Sequence, residues 1–144
     1  TVFIRSGVVL SKEAGALHKM LLPFKLGLGG RIGSGEQFMS WIALEDEIRA
    51  IDFILNNTNI KGPVNLTSPN TVTNKEFTQT LASCLNRPAI FPMPAFIVKL
   101  LFGEMGQLLL LEGANVEPKV LLEHGFKFKY AKLENAFNAA LNNK

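Results

Sequence analysis

Residues 29–44, GGRIGSGEQFMSWIAL, place four glycines within seven positions and then run into Met39, Trp41 and Ile42. The glycines leave the backbone free to bend, and Arg31, Gln37 and Ser40 supply polar groups to aim. Three structures satisfy such a stretch: a phosphate-cradling turn, the lip of a pocket, or a plain turn between packed elements. A dinucleotide fingerprint needs G-x-G-x-x-G between a strand and a helix, because the backbone must approach a pyrophosphate at the helix N-terminus. Counted from Gly27 the last place falls on Ile32, and from Gly33 it falls on Phe38. The P-loop pattern is absent as well. A pocket lip and a β-turn with Trp41 buried as core remain.

The flanks of this stretch read as alternating strands and helices. FMSWIAL, residues 38–44, has the apolar content of one strand. In the helix over EDEIRAIDFILNN, Ile48, Ile51, Ile54 and Leu55 share a face. Glu45, Asp46 and Glu47 crowd its first turn, where the helix dipole and capping account for negative charge. Upstream, TVFIR reads as a buried strand, followed by a turn at Ser6-Gly7. Leu17, Met20, Leu21 and Phe24 follow at helical spacing, and Pro23 is expected to end or kink that helix. Downstream, GPVNLTS is a short strand. Thr73 and Glu76 then form a capping-box signature before a helix whose stripe is Phe77, Leu81, Cys84 and Leu85. PAIFPMP is extended, and AFIVKLLF and EMGQLLLLEG read as two short helices. Another helix is expected to begin at Pro118 and end at Gly125. FKFKY alternates as a strand, and KLENAFNAALNN closes the chain as an amphipathic helix. The whole is α/β, with four strands and six or seven helices. Residues 1–87 carry the strand–helix alternation, and residues 88–144 form a smaller helical part.

Gross composition restricts function. A chain of 144 residues, 47% hydrophobic and 19% charged, is globular, and its net charge of +3 is weak. No basic stripe interleaved with aromatics is present, which argues against nucleic acid as a partner. The greasiest run is cut by Lys99 and Glu104 before the roughly 18–20 apolar residues that a membrane helix needs. There is no secretory leader pattern. One cysteine, Cys84, excludes an internal disulfide and fits reducing, cytoplasmic surroundings. His18 and His124 are too isolated to build a metal site with Cys84, so no metal is expected. The opening TVFIR needs neighbouring strands, which points to the later part of a longer protein.

Three motifs together, GG-R-x-G-S-G-x-Q at 29–37, S-W-I at 40–42 and P-x-x-L-L-E-x-G-F at 118–126, resemble one family. It is the extended, atypical short-chain dehydrogenase/reductase superfamily. Within it the likeness is to the NAD-dependent epimerase/dehydratase-like proteins, also labelled sugar-nucleotide epimerases or cell-division-inhibitor homologues. It covers nearly all of the chain and corresponds to the family's C-terminal half.

The resemblance implies the C-terminal part of an extended Rossmann-type fold with a small, mostly helical substrate-side domain. Family members are about twice as long. Their other half supplies the dinucleotide turn and, in active members, a Tyr-x-x-x-Lys pair. Here the only tyrosine is Tyr130, and Glu134 stands four residues on, so this chain carries no catalytic pair. The resemblance puts Ser6, Gly7 and Val8 at the cofactor's edge and makes Arg5 an anchor of the strand end. Arg31 becomes the leading anion-binding residue, with Gln37 and Ser40 as hydrogen-bonding groups and Trp41 as a stacking face for a small polar substrate such as a nucleotide sugar. Asp46 is expected to act as a cap and Asn65 to be structural. NAD or NADP is expected in the full-length parent and no cofactor in this chain alone, which would be inactive and would self-associate through its bare edges. The rival reading is a non-catalytic interaction module presenting Phe91, Phe96, Leu100 and Phe102.

Overall fold

The protein is described by a computed structural model covering residues 2–13, 15–27, 29–88, 92–93, 96–100, 103 and 116–142. Its strands are β1 (Val2–Ser6), β2 (Val8–Leu10), β3 (Phe38–Met39), β4 (Trp41–Ala43), β5 (Gly62–Leu66) and β6 (Val72–Thr73). Its helices are α1 (Gly15–Lys25), α2 (Leu44–Leu55), α3 (Asn74–Leu85), a helical stretch at 96–100 (α4), α5 (Lys119–Glu123) and α6 (Leu133–Asn142). The EMGQLLLLEG helix expected from sequence lies outside the described residues.

β1 runs parallel to β5, with Val2 opposite Gly62 and Ser6 opposite Leu66. β2 continues the same direction but pairs parallel with β4. Gly7 is the switch between the two pairings. Its N–H donates to Leu66 O at 3.1 Å, and the N–H of Val8 donates to Ser40 O at 2.8 Å. A Cβ built on Gly7 would lie 2.6 Å from Ser40 O and 3.0 Å from Thr67 Cγ2, so glycine is required there by space. β4, α2 and β5 make one crossover between strands that run the same way.

Side chains along β4 alternate between two cores. Trp41 and Ala43 join Leu10, Leu17, Met20, Phe24, Phe77, Leu81 and Phe137 on one side. Ile42 joins Ala50, Ile54, Val64, Leu66, Leu121 and Phe126 on the other. β4 is therefore covered on both faces, as strands of buried parallel sheets are. Phe77 and Phe137 meet edge to face at 5.0 Å, which ties α3 to α6. Residues from both 1–87 and 88–144 take part in each core.

Several sequence expectations need correction. β1 forms, but it is not buried as expected: Phe3 and Ile4 are exposed, and among the described residues the strand pairs on one edge only, with β5. FMSWIAL is not one strand. It breaks at Ser40 into β3, antiparallel to β6, and β4, parallel to β2, because the Ser40 carbonyl turns to Val8. Pro23 sits inside α1, which ends only two residues later, and Leu26 N–H still reaches Leu22 O at 3.1 Å. FKFKY forms no strand, because the N–H groups of Lys129 and Tyr130 donate to the Asp46 carboxylate, each at 2.9 Å. α2 turns Asp46, Glu47, Ala50 and Ile54 inward and leaves Ile48, Ile51 and Leu55 exposed. The capping box holds as expected, with Glu76 N–H donating to Thr73 Oγ1 at 3.2 Å.

Candidate functional site

The carboxyl end of β1 brings Ser6, Gly7 and Val8 beside Ser40, Thr67 and Glu47. The Ser6 hydroxyl donates to Glu47 Oε1 at 2.5 Å. Glu47 is only 8% exposed, and its other oxygen, Oε2, has no hydrogen-bond partner among the described residues. Burial pushes this carboxyl above the usual carboxylate range, against the opposing pull of Ser6. Ser40 Oγ accepts the N–H of Val116 at 3.1 Å, and Val116 O accepts the hydroxyls of Thr67 and Thr71. This end of the strand thus gathers hydroxyls, one buried carboxyl and a close-approaching glycine. Arg5, on the same strand, is exposed.

The four residues expected on a substrate wall do not converge. Trp41 is fully buried, and its indole N–H donates to Asn70 O at 2.8 Å, so it is core and offers no stacking face. Gln37 stays within the glycine-rich loop, its amide donating to Ile32 O at 2.8 Å. Ser40 faces the β1 end. Arg31 instead lines a groove against α3, shared with Lys75 and Arg87. Neither Lys75 nor Arg87 was singled out from sequence. Lys75, Gln79 and Ser83 recur at four-residue spacing, which marks one helix face, but nothing local signals that Arg31 meets it.

A further cavity of about 560 Å³ opens at the carboxyl ends of β2 and β4, with Leu10, Ala43, Leu44, Ile48, Tyr130 and Ala140 in its wall. Carboxyl ends of parallel strands are where open α/β sheets bind ligands. At its rim, Lys129 hydrogen-bonds Glu45 at 3.1 Å and holds that carboxyl below its ordinary range.

Asp46 does not cap its own helix. The N-cap of α2 is Ala43, without a side-chain bond, and Asp46 instead serves the 129–130 backbone and Arg49. Asn65 Nδ2 reaches Glu117 O at 3.4 Å, a structural link. His18 and His124 contact the carbonyls of Lys12 and Val120, and burial pushes the Cys84 thiol up. No cluster of metal-ligating side chains occurs among the described residues, and no described helix is long and apolar enough to cross a membrane. Phe96 and Leu100 are exposed, while Phe91 and Phe102 lie outside the described residues.

Comparison with known proteins agrees with this architecture. The family described as a domain of unknown function (DUF1731) matches residues 93–140. "Epimerase family protein Mb2239" of Mycobacterium bovis is 45% identical over 139 residues, which is 96% of this chain and 46% of that protein. The crystal structure of human epimerase family protein SDR39U1 (isoform 2) with NADPH matches with a TM-score of 0.87 and 40% identity. The match covers 98% of this chain and 48% of that one. A nucleoside-diphosphate sugar epimerase from Corynebacterium glutamicum matches with a TM-score of 0.72 and 26% identity, over 97% of this chain and 26% of its own. The chain thus spans about half the length of the first two relatives. Over nearly its whole length the chain is similar to about half of proteins named epimerase family protein, SDR39U1 among them, and its residues 93–140 match DUF1731.

Proposed function

We propose that this chain is the substrate-side portion of an NAD(P)-dependent epimerase- or reductase-like protein. The observation that carries the reading is the 98% coverage of this chain by a relative crystallised with NADPH, of which it spans 48%. In this reading the missing half cradles the dinucleotide, and Ser6, Gly7 and Val8 border it. The residues fit an edge and not a cradle. They offer a close backbone approach at Gly7 and a buried acceptor at Glu47 Oε2, but neither a glycine fingerprint nor a cationic clamp. When bound, the dinucleotide would supply hydride transfer. This chain's own residues would orient a small polar substrate, for which a nucleotide sugar is the favoured class because of the Corynebacterium relative. Ser40 is the contact residue this reading keeps beside the β1 end, Arg31 is an anion-binding residue in the separate groove against α3, and Gln37 shapes the loop that carries Arg31. Trp41 supports the wall from within the core. The interaction-module alternative is not favoured, because the matched relatives carry epimerase-family names.

An edge of β1 unpaired among the described residues, with Phe3 62% and Ile4 45% exposed, also favours self-association of the isolated chain. Light scattering should report a mass that rises with concentration, and a clean monomer throughout would refute that expectation. The cofactor reading is tested by titrating NADPH and NADH into the chain as it stands. No micromolar binding is expected, and its appearance would overturn the division of labour.

A further inference from the structure

The groove between the glycine-rich loop and α3 measures about 420 Å³, within the size range of small-molecule sites. Its lining includes Arg31, Lys75, Arg87, Thr78, Gln79 and Ser83, and no carboxylate. We propose that it is a binding site for a phosphoryl group. This deepens the reading of Arg31 as an anion-binding residue and rests on it, while standing apart from any dinucleotide chemistry.

Charge is the first argument. The chain carries 15 basic and 12 acidic side chains, so three cations around one groove are a strong local excess. Like charges held together repel, and an anion between them removes that penalty. A phosphoryl dianion meets this field better than a single carboxylate, and guanidinium forks match its oxygens in pairs.

Construction of the groove is the second argument. Gly35 has φ +74°, and a Cβ placed there would lie 3.0 Å from both Arg31 Cδ and Lys75 Cβ. Glycine thus allows the Arg31 side chain to cross the loop and meet the start of α3. The loop is pinned in that position by Asn74, which is fully buried. Its Oδ1 accepts Ile32 N–H at 2.6 Å, and its own N–H donates to Gln37 O at 2.8 Å. Lys75 N–H donates to Gly35 O at 2.9 Å, and Met93 N–H donates to Arg31 O at 2.8 Å. On the far side, Arg87 Nε donates to Lys25 O at 3.0 Å and Nη1 to Asn86 O at 3.3 Å. That anchors the guanidinium and leaves Nη2 without a partner among the described residues. The Arg31 guanidinium and the Lys75 ammonium have none there either. Backbone contacts thus hold the loop and Arg87 in place, and no described acid pairs with the three cations.

The test adds inorganic phosphate, pyrophosphate, glycerol 3-phosphate and acetate to the chain while amide NMR shifts are followed. Saturable shifts are expected at Gly35, Lys75 and Ser83, with acetate binding at least about tenfold more weakly than pyrophosphate. Arg31→Gln and Lys75→Gln, both at exposed or half-exposed positions, should each weaken binding by about tenfold or more. Lys61→Gln, at an exposed position just before β5, should leave it unchanged. Stronger binding of glycerol 3-phosphate than of inorganic phosphate assigns the site to an organic phosphate, and the reverse assigns it to the free ion. Absent shifts, equal affinity for acetate, or equal loss in Lys61→Gln would overturn the proposal. Because no dinucleotide is present, failure here leaves the cofactor reading intact, and failure of that reading leaves this binding intact.

Discussion

Replacing Asp46 by alanine is expected to be among the most damaging single changes in the chain. Asp46 is fully buried. Its Oδ1 accepts Lys129 N–H at 2.9 Å and Arg49 Nη1 at 2.8 Å, and its Oδ2 accepts Tyr130 N–H at 2.9 Å. Hydrogen bonds to a charged acceptor contribute about 1.5–3 kcal/mol each, and alanine removes the two main-chain ones together. The ion pair to Arg49, whose side chain is 42% exposed, adds little, about 0–1 kcal/mol. The expected loss is therefore about 3–6 kcal/mol, against a typical domain stability of about 5–15 kcal/mol. Asp46→Asn keeps one acceptor oxygen and should lose about half as much. The assay is urea unfolding followed by circular dichroism, with an unchanged denaturant slope as the check that both states are comparable. If Asp46→Ala fails to fold, the asparagine variant carries the test. A loss below about 1 kcal/mol in the alanine variant would refute the claim that this carboxylate holds the 129–130 backbone.

Three further outcomes follow from other contacts. Burial raises the Glu47 carboxyl above its ordinary 4.5, so the folded state binds that proton more tightly than the unfolded chain. Its contribution is fully present below pH 4.5 and is lost as pH rises through the folded value. Glu47→Gln should remove this decline, and an unaltered pH–stability curve would contradict it. Gly7→Ala drives a Cβ into the Ser40 carbonyl and should cost about 1–3 kcal/mol through a forced shift of the β1–β2 junction away from Ser40, measured by the same urea titration. A neutral result would mean the strands separate freely. The single tryptophan, Trp41, is buried, so its fluorescence should be blue-shifted and resist acrylamide. Ready quenching would restore it to a pocket wall.

Local signals were legible in the sequence and distant ones were not. The Thr73–Glu76 capping box acts across three residues, and the structure keeps it. Gly125, at φ +83°, follows α5 as the helix-ending position. By contrast, FKFKY has the alternation of a strand, but its donors are taken by Asp46, more than eighty positions away. The stripe Ile48, Ile51 and Leu55 has helical spacing, yet the helix rotates to bring Asp46 and Glu47 inward. Spacing reports a face, not what the face meets. The site divides the same way. Arg31 is visible as a cation among glycines, but its meeting with Lys75 across Gly35 and with Arg87 around one groove depends on tertiary contacts. Trp41 reads from sequence as a stacking face on a pocket lip, with burial as core the alternative, and only its neighbours place it in the core.

The most direct measurement joins this chain to the part of Mb2239 that it does not match and titrates NADPH into the fused protein, with amide shifts recorded. Micromolar binding that perturbs Ser6, Gly7 and Val8 is the predicted result. A folded fusion that ignores NADPH, or binds it without disturbing those three residues, would contradict the account.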